Sequence, residues 1–340
     1  MSTTMNDLIA GFPNHVLAAL EQGSNALAHW KSPNQPLHQV VFTGLGGSGI
    51  GASLAQEWCD ARLPVIVSKG YSLPSWVGPH TAVIAVSYSG DTEETLAAAA
   101  QAEAAGAWMT AITSGGALAA RAEASGWNQF RMEPGNPPRS MVGYGLVYAL
   151  LALDFYGAGI PIGSESGDWR KALGRAANRI QDRSDAIRLR AAEWAPLLAG
   201  KTAAFYAATG AAALATRWRQ QWNENAKLPG WDAEIPEMNH NETVGWAGGT
   251  EHHAAIFLGL AEDDPRNRFR SNYTQNVLAE RGITTQFIQP ESNEPWEARL
   301  EMLHLGDWLS VEVAAQSGVD VLDIRVIQEL KAQLQQWTPK

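Results

Sequence analysis

The chain has 340 residues, with hydrophobic residues at 45%, charged residues at 18% and a formal net charge of −10, the balance of a folded globular protein long enough for two domains. The acidic excess argues against nucleic acid and anionic membrane surfaces as partners, because both are bound through basic surface. The single cysteine, Cys59, excludes an intramolecular disulfide and a Cys-cluster zinc site.

The segment Met1–Asp7 has no basic run ahead of its apolar residues, so no secretory signal is expected and the expected location is the cytoplasm. Val40–Thr43 reads as a strand followed by glycines, and Ile50–Trp58 as a helix. Pro64–Val67 and Ala82–Val86 read as strands, Asp91–Ala104 as a helix rich in Ala and Glu, and Trp108–Thr113 as a strand. The longest apolar stretch, Met141–Leu153, stops at Asp154. It falls short of the roughly 20 residues that a membrane span needs and reads as a buried helix.

Over Gly157–Gly167 the composition shifts to Gly, Pro and Ser, which marks a linker. A long helix follows from Asp168 to about Trp194. Then come a strand at Thr202–Tyr206, a helix from Gly210, a strand at Ala254–Leu258, a helix over 266–280 and a strand at Thr284–Ile288. Helices over Trp296–Ser317 and Ile324–Gln336 end the pattern. Apolar strands alternating with helices predict an α/β fold of two doubly wound units, residues 1–160 and 161–340, each a parallel sheet flanked by helices.

Two loops carry the chemistry of an anion site. The first strand runs into Gly44-Leu-Gly-Gly-Ser-Gly-Ile-Gly51, which opens a helix. Glycines let the backbone approach a ligand, and the free N–H groups of a helix start favour negative charge. Gly44-x-Gly46-x-x-Gly49 also fits the dinucleotide fingerprint, but that fingerprint wants an acid at the end of the second strand, and Val65-Ile-Val-Ser-Lys69 has none. The second loop, Ser87-Tyr-Ser-Gly-Asp-Thr92, follows the third strand. Ser87, Ser89 and Thr92 are positioned to direct three hydroxyls at one anion, whereas a helix cap alone needs one such residue.

Gly46, Gly47 and Ser48 together with Ser87, Ser89 and Thr92 resemble the sugar-isomerase (SIS) fold, in which such loops grip a sugar phosphate. Asn223-Glu-Asn-Ala-Lys227, Ile235-Pro-Glu-Met-Asn-His-Asn241 and Ile327-Gln-Glu-Leu-Lys331 resemble, in the same order, the bifunctional phosphoglucose/phosphomannose isomerases. The resemblance spans nearly the whole chain and implies two SIS-type units. It also implies an aldose–ketose isomerase acting on glucose 6-phosphate and fructose 6-phosphate through an enediol. That chemistry needs a carboxylate base, an acid/base at the ring oxygen and a cation near the developing oxyanion.

By the same resemblance Glu224 is the base, and its neighbours Trp222, Asn223, Asn225 and Ala226 are expected to desolvate it in part and raise its pKa. His240 matches the ring-opening histidine, which in the family comes from the partner subunit. Lys331 matches the lysine that assists at the ring oxygen, and Arg139 matches an arginine facing the substrate oxygens. No cofactor and no metal are implied, and a homodimer with a shared active site is. Glu242 and Lys227 fall inside the matching motifs without a role.

The chain departs from the family at Ile324 and Arg325, where members carry Thr-Pro, the threonine being associated with accepting both C2 epimers. The departure puts mannose 6-phosphate turnover in question. Asp91 replaces a common Asn and is expected to cap its helix while adding negative charge near the phosphate. His240, Glu242, Glu251, His252 and His253 cluster in sequence, but adjacent His252 and His253 would point to opposite sides of a strand, so no zinc site is expected. A non-catalytic sugar-phosphate sensor remains an alternative, as does an isomerase or epimerase for another phosphosugar. A glutaminase-linked aminotransferase would need a further domain. No basic helix-turn-helix of the kind carried by SIS sensors is visible.

Overall fold

The computed structural model describes residues 3–162, 168–248 and 252–337. It opens with two helices that the hydrophobic pattern did not reveal, α1 (Met5–Ala10) and α2 (Phe12–Leu27). Thr4 and Asp7 cap α1 reciprocally, each side chain accepting the other's backbone N–H.

The first α/β half runs β1 (Gln39–Thr43), α3 (Gly46–Glu57), β2 (Cys59–Ala61), β3 (Val65–Ser68), β4 (Thr81–Val86), α4 (Glu93–Ala104), β5 (Trp108–Thr113), α5 (Gly116–Ser125), β6 (Asn128–Arg131), α6 (Val142–Phe155) and β7 (Gly159–Pro161). Five of these strands form a parallel sheet in the order β3-β1-β4-β5-β6. Val40 of β1 lies opposite Val65 on one side and Ala82 on the other. Every residue of β4 is buried, as expected of a central parallel strand covered on both faces. β7 pairs antiparallel with β2, Cys59 opposite Pro161. The first part of the predicted linker is therefore strand, and its residues 163–167 lie outside the described residues.

The second half runs α7 (Trp169–Leu198), β8 (Thr202–Ala208), α8 (Ala212–Gln221), β9 (Gly230–Ile235), α9 (Glu242–Gly245), β10 (His253–Leu258), α10 (Pro265–Glu280), β11 (Thr284–Ile288), α11 (Pro295–Ser317) and α12 (Arg325–Gln336). Its four parallel strands are ordered β11-β10-β8-β9.

One apolar core runs through both halves and includes Phe12, Leu146, Leu173, Phe205, Trp218 and Trp296. The apolar run read as a buried helix is α6, apolar on every side and packed between α2 and α3. Where α3 crosses α6 the backbones nearly touch, since a Cβ on Gly51 would lie 2.7 Å from the carbonyl carbon of Gly145. The halves are also joined by a polar contact. Glu57, at the end of α3, accepts the Ala213 N–H in the first turn of α8 with both carboxylate oxygens, at 3.1 and 3.0 Å. A carboxylate at a helix start complements the N–H groups left free there.

The strand order places the site. In the first sheet the chain goes from β1 outward to β3 and then back to β4 on the other side of β1. The direction of winding therefore reverses between β1 and β4. Ligands of open α/β sheets bind outside the carboxyl ends of the strands at such a reversal. The loops that follow these two strands are the Gly-rich and Ser-rich segments.

Candidate active site

The end of β1 and the end of β4 approach through Gly44, where a Cβ would lie 2.7 Å from the Val86 carbonyl oxygen. α3 then starts at Gly46 without a side-chain cap, and Gly46 itself has positive φ and open space beside it. α4 likewise begins without a side-chain cap, Thr92 standing at its N-cap. Two helix starts with free N–H groups thus lie next to each other. The Tyr88 N–H donates to Ser48 Oγ at 3.1 Å and ties the two loops together.

The hydroxyls divide their work. Ser87, fully buried, hydrogen-bonds Thr92 Oγ1 at 2.8 Å and accepts the Gly90 N–H at 3.1 Å. Ser89 is exposed and accepts the Asp91 N–H at 3.2 Å. Ser48 and Ser89 each accept from a backbone N–H, which leaves their O–H to donate outward, and the Ser87–Thr92 pair has one proton left over. Asp91 corrects an expectation. Its carboxylate does not cap α4 but accepts the Ala117 N–H at 2.9 Å in the first turn of α5.

Arg139 links this half to the other. A Cβ on Gly47 would lie 3.1 Å from the Pro138 carbonyl and 3.2 Å from the Arg139 nitrogen, so the glycine loop rests on the segment that carries the arginine. The Arg139 side chain is 3% exposed and crosses to the second half. Its Nε donates to Asn225 Oδ1 at 2.8 Å, its Nη2 to the Val321 carbonyl at 2.7 Å and its Nη1 to Glu224 Oε2 at 3.4 Å. Burial pushes its pKa down, and the Glu224 charge opposes that.

A second layer fixes this arginine. Its carbonyl accepts from Arg217 Nη2 at 2.8 Å, and Arg217 forms a two-point pair with Asp307 at 3.0 and 2.8 Å. Asn225 Nδ2 donates to Ser310 Oγ at 2.9 Å, and Ser310 donates to the Asp307 carbonyl at 2.7 Å. Buried Arg139, Arg217 and Asp307 thus adjoin part-exposed Glu224, and each buried charge faces one of opposite sign, without which its burial would be costly.

Glu224 lies in a widened helical turn, Trp222–Ala226, that continues α8. Such turns occur frequently at functional sites. The turn is anchored by Trp222, 1% exposed and set edge-on to Phe205 at 5.7 Å. The Glu224 side chain is 28% exposed and lines a cavity of about 670 Å³ with Asn223, Lys227, Asp320, Ile324 and the first turn of α12. Ile324 and Arg325, the departures noted in sequence, both border this cavity.

The structure joins Arg139 to Glu224 and seats the Gly47 loop on the Arg139 segment, but the hydroxyl loops do not line the Glu224 cavity, and the other two expected groups stand apart as well. His240 stands exposed after β9, and Lys331 is exposed on α12. Neither side chain forms a hydrogen bond among the described residues, and neither lines the Glu224 cavity. Glu242 now has a role. It accepts from the Tyr206 hydroxyl and, at 2.6 Å, from Trp231 Nε1, and Trp246 Nε1 donates to Tyr206 at 3.0 Å. It thereby fastens the segment that follows His240. No group of three or more metal-ligating side chains occurs among the described residues, and Glu251 of the sequence cluster lies outside them.

Residues 188–334 match the family model of the bacterial phospho-glucose isomerase C-terminal SIS domain. A bifunctional phosphoglucose/phosphomannose isomerase of Aquifex aeolicus (strain VF5) is 31% identical over 306 residues, which cover 88% of this chain and 91% of that protein. The chain belongs to the bifunctional phosphoglucose/phosphomannose isomerase family. The family member of Caldicellulosiruptor bescii is also 31% identical, over 344 residues covering 97% of this chain and 98% of its own. The SIS-type fold is shared with a solved hypothetical protein of Thermus thermophilus, at a TM-score of 0.76 and 17% identity, over 96% of this chain and 89% of that one.

In family terms the sequence motifs correspond to two structural layers. The Gly and Ser loops lie at the winding reversal of the first sheet, and Asn223–Lys227 forms the turn that carries the carboxylate. Sequence reasoning missed Arg217, Asp307 and Ser310, which come from helices without a motif.

Proposed function

We propose that the protein is an aldose–ketose isomerase that interconverts glucose 6-phosphate and fructose 6-phosphate through an enediol. The observation that supports this most is the contact of Arg139 with Glu224 at 3.4 Å, on a segment that also abuts the phosphate-type loop at Gly47. One rigid connection therefore joins an anion grip to a carboxylate held against a cation.

The Ser48, Ser89 and Ser87–Thr92 hydroxyls and the N–H groups at the starts of α3 and α4 take the phosphate, which needs no lysine. Phosphate binding holds C1 and C2 of the open-chain sugar at Glu224. Glu224 removes the proton from one carbon and returns it to the other. The Arg139 guanidinium stabilises the negative charge that develops on the enediol oxygens. Nη1 makes only the long contact to Glu224 and so has N–H capacity left for substrate, while Nε and Nη2, at 2.8 and 2.7 Å, hold the planar guanidinium in place.

Ring opening falls to His240 and Lys331, and their exposure agrees with a homodimer in which a second copy brings His240 to this cavity. Ile324 presents an apolar branched side chain where the family threonine offers a hydroxyl, so turnover of mannose 6-phosphate is expected to trail that of glucose 6-phosphate. The reaction is a cytoplasmic step common to glycolysis and gluconeogenesis. The test is purified protein with fructose 6-phosphate in an assay coupled to glucose 6-phosphate formation, with mannose 6-phosphate alongside. Turnover that survives exhaustive chelation is expected. Tight sugar-phosphate binding without turnover would favour a sensor instead.

A further inference from the structure

Lys227 ends the Glu224 turn in the left-handed region, at φ 58°, the one positive φ outside glycine among the described residues. A side chain is strained there, so something must hold it. Its Nζ donates to the carbonyls of Glu224 at 2.5 Å, Asp323 at 2.6 Å and Val321 at 3.3 Å. An ammonium has three N–H bonds. All three are engaged by backbone, so none is left for substrate even though the residue borders the cavity.

The loop it grips, residues 318–324, lines the same cavity as Glu224 through Asp320, Asp323 and Ile324. The Val321 carbonyl also accepts from Arg139. Base, oxyanion cation and wall therefore converge on the three carbonyls that Lys227 holds. On the reading of Glu224 as the base, we propose that Lys227 is a positioning residue, its ammonium locking the Glu224 turn to the 318–324 loop so that base and cavity wall keep one geometry.

The test replaces Lys227 with Met and reads two quantities. The first is steady-state conversion of fructose 6-phosphate. Misplacing a base by about 1 Å lowers rate by up to about 100-fold, so kcat is expected to fall about 10- to 100-fold while KM stays within about threefold, because the phosphate loops lie on the other half. The second is backbone hydrogen exchange followed by mass spectrometry. Exchange should rise over residues 318–324 and 222–228 and stay unchanged over 44–51 and 86–93. A kcat within about twofold of the parent, or a KM rise that matches the kcat loss, would overturn the proposal. So would unchanged exchange over 318–324. If the parent itself fails to turn over, the isomerase reading falls separately, and the exchange result still decides whether Lys227 makes the tie. Lys227→Gln, read in the same two ways, serves if the Met variant does not fold.

Discussion

The Glu57 contact between the halves yields a stability test with a worked sign. Burial is the main influence and pushes the Glu57 carboxyl up to about 7 from its usual 4.5. The Ala213 N–H opposes this, the Glu234 charge adds to it and Arg299 offsets part of it. Because the folded-state pKa is raised, the folded protein holds a proton between pH 4.5 and 7 that the unfolded chain has lost. The contribution is therefore complete below pH 4.5 and disappears as pH rises through 7. At about 1.4 kcal/mol per unit the ceiling is about 3.5 kcal/mol, and partial water access brings the expected range to about 1–3 kcal/mol. Glu57→Gln keeps an acceptor for the Ala213 N–H and removes the ionisation. Urea unfolding of parent and variant across about pH 4 to 8 lets other titrating groups cancel. The advantage of the variant should grow through this window and level off above about pH 7. A difference that does not change with pH, or that grows in the opposite direction, would show that Glu57 does not titrate with a raised pKa in the folded protein.

Three further outcomes are expected. Arg139→Lys keeps the charge but cannot reach Asn225, Val321 and Glu224 together, so kcat should fall about 100-fold or more with a smaller change in KM, read by steady-state kinetics. Ser87→Ala removes the Thr92 partner and the acceptor for the Gly90 N–H, and should raise KM for fructose 6-phosphate about tenfold with kcat nearly kept. Gly51→Ala drives a Cβ to 2.7 Å from the Gly145 backbone and should lower stability by about 1–3 kcal/mol in urea unfolding.

Burial made the central strands easy to read in the sequence. β4 is an unbroken apolar run after Thr81, and β5 is buried from Met109 onward, because both faces of the central sheet are covered. Two edge strands, β6 and β9, escaped notice, although the edges β3 and β11 were read. Gly230–Ile235, at the edge of the second sheet, mixes Asp232 and Glu234 with apolar residues and is only half-buried. Asn128–Arg131 has the same position in the first sheet. α3 was expected from Ile50 but begins at Gly46, because glycines have poor helix propensity and concealed its first turn.

The same contrast holds at the site. The hydroxyl loops were legible because strand, glycine turn and helix start are contiguous. The union of Arg139 with Glu224 spans two halves of the chain and was reached only through the family resemblance. Arg217, Asp307, Ser310 and the Val321 carbonyl come from separate segments, and a lone charged residue on a helix carries no mark of its partner. Lys227 appeared in a motif, yet its role depends on carbonyls about a hundred residues further on.

The proposed division of labour has Glu224 moving the proton while the first half holds the phosphate. It is tested most directly by solvent deuterium incorporation into fructose 6-phosphate and glucose 6-phosphate, followed by NMR for the parent and for Glu224→Gln. The parent should incorporate deuterium at the carbon that receives the proton, and the variant should incorporate none while still binding fructose 6-phosphate with near-parental affinity. Deuterium incorporation by Glu224→Gln at the parental rate would contradict the account.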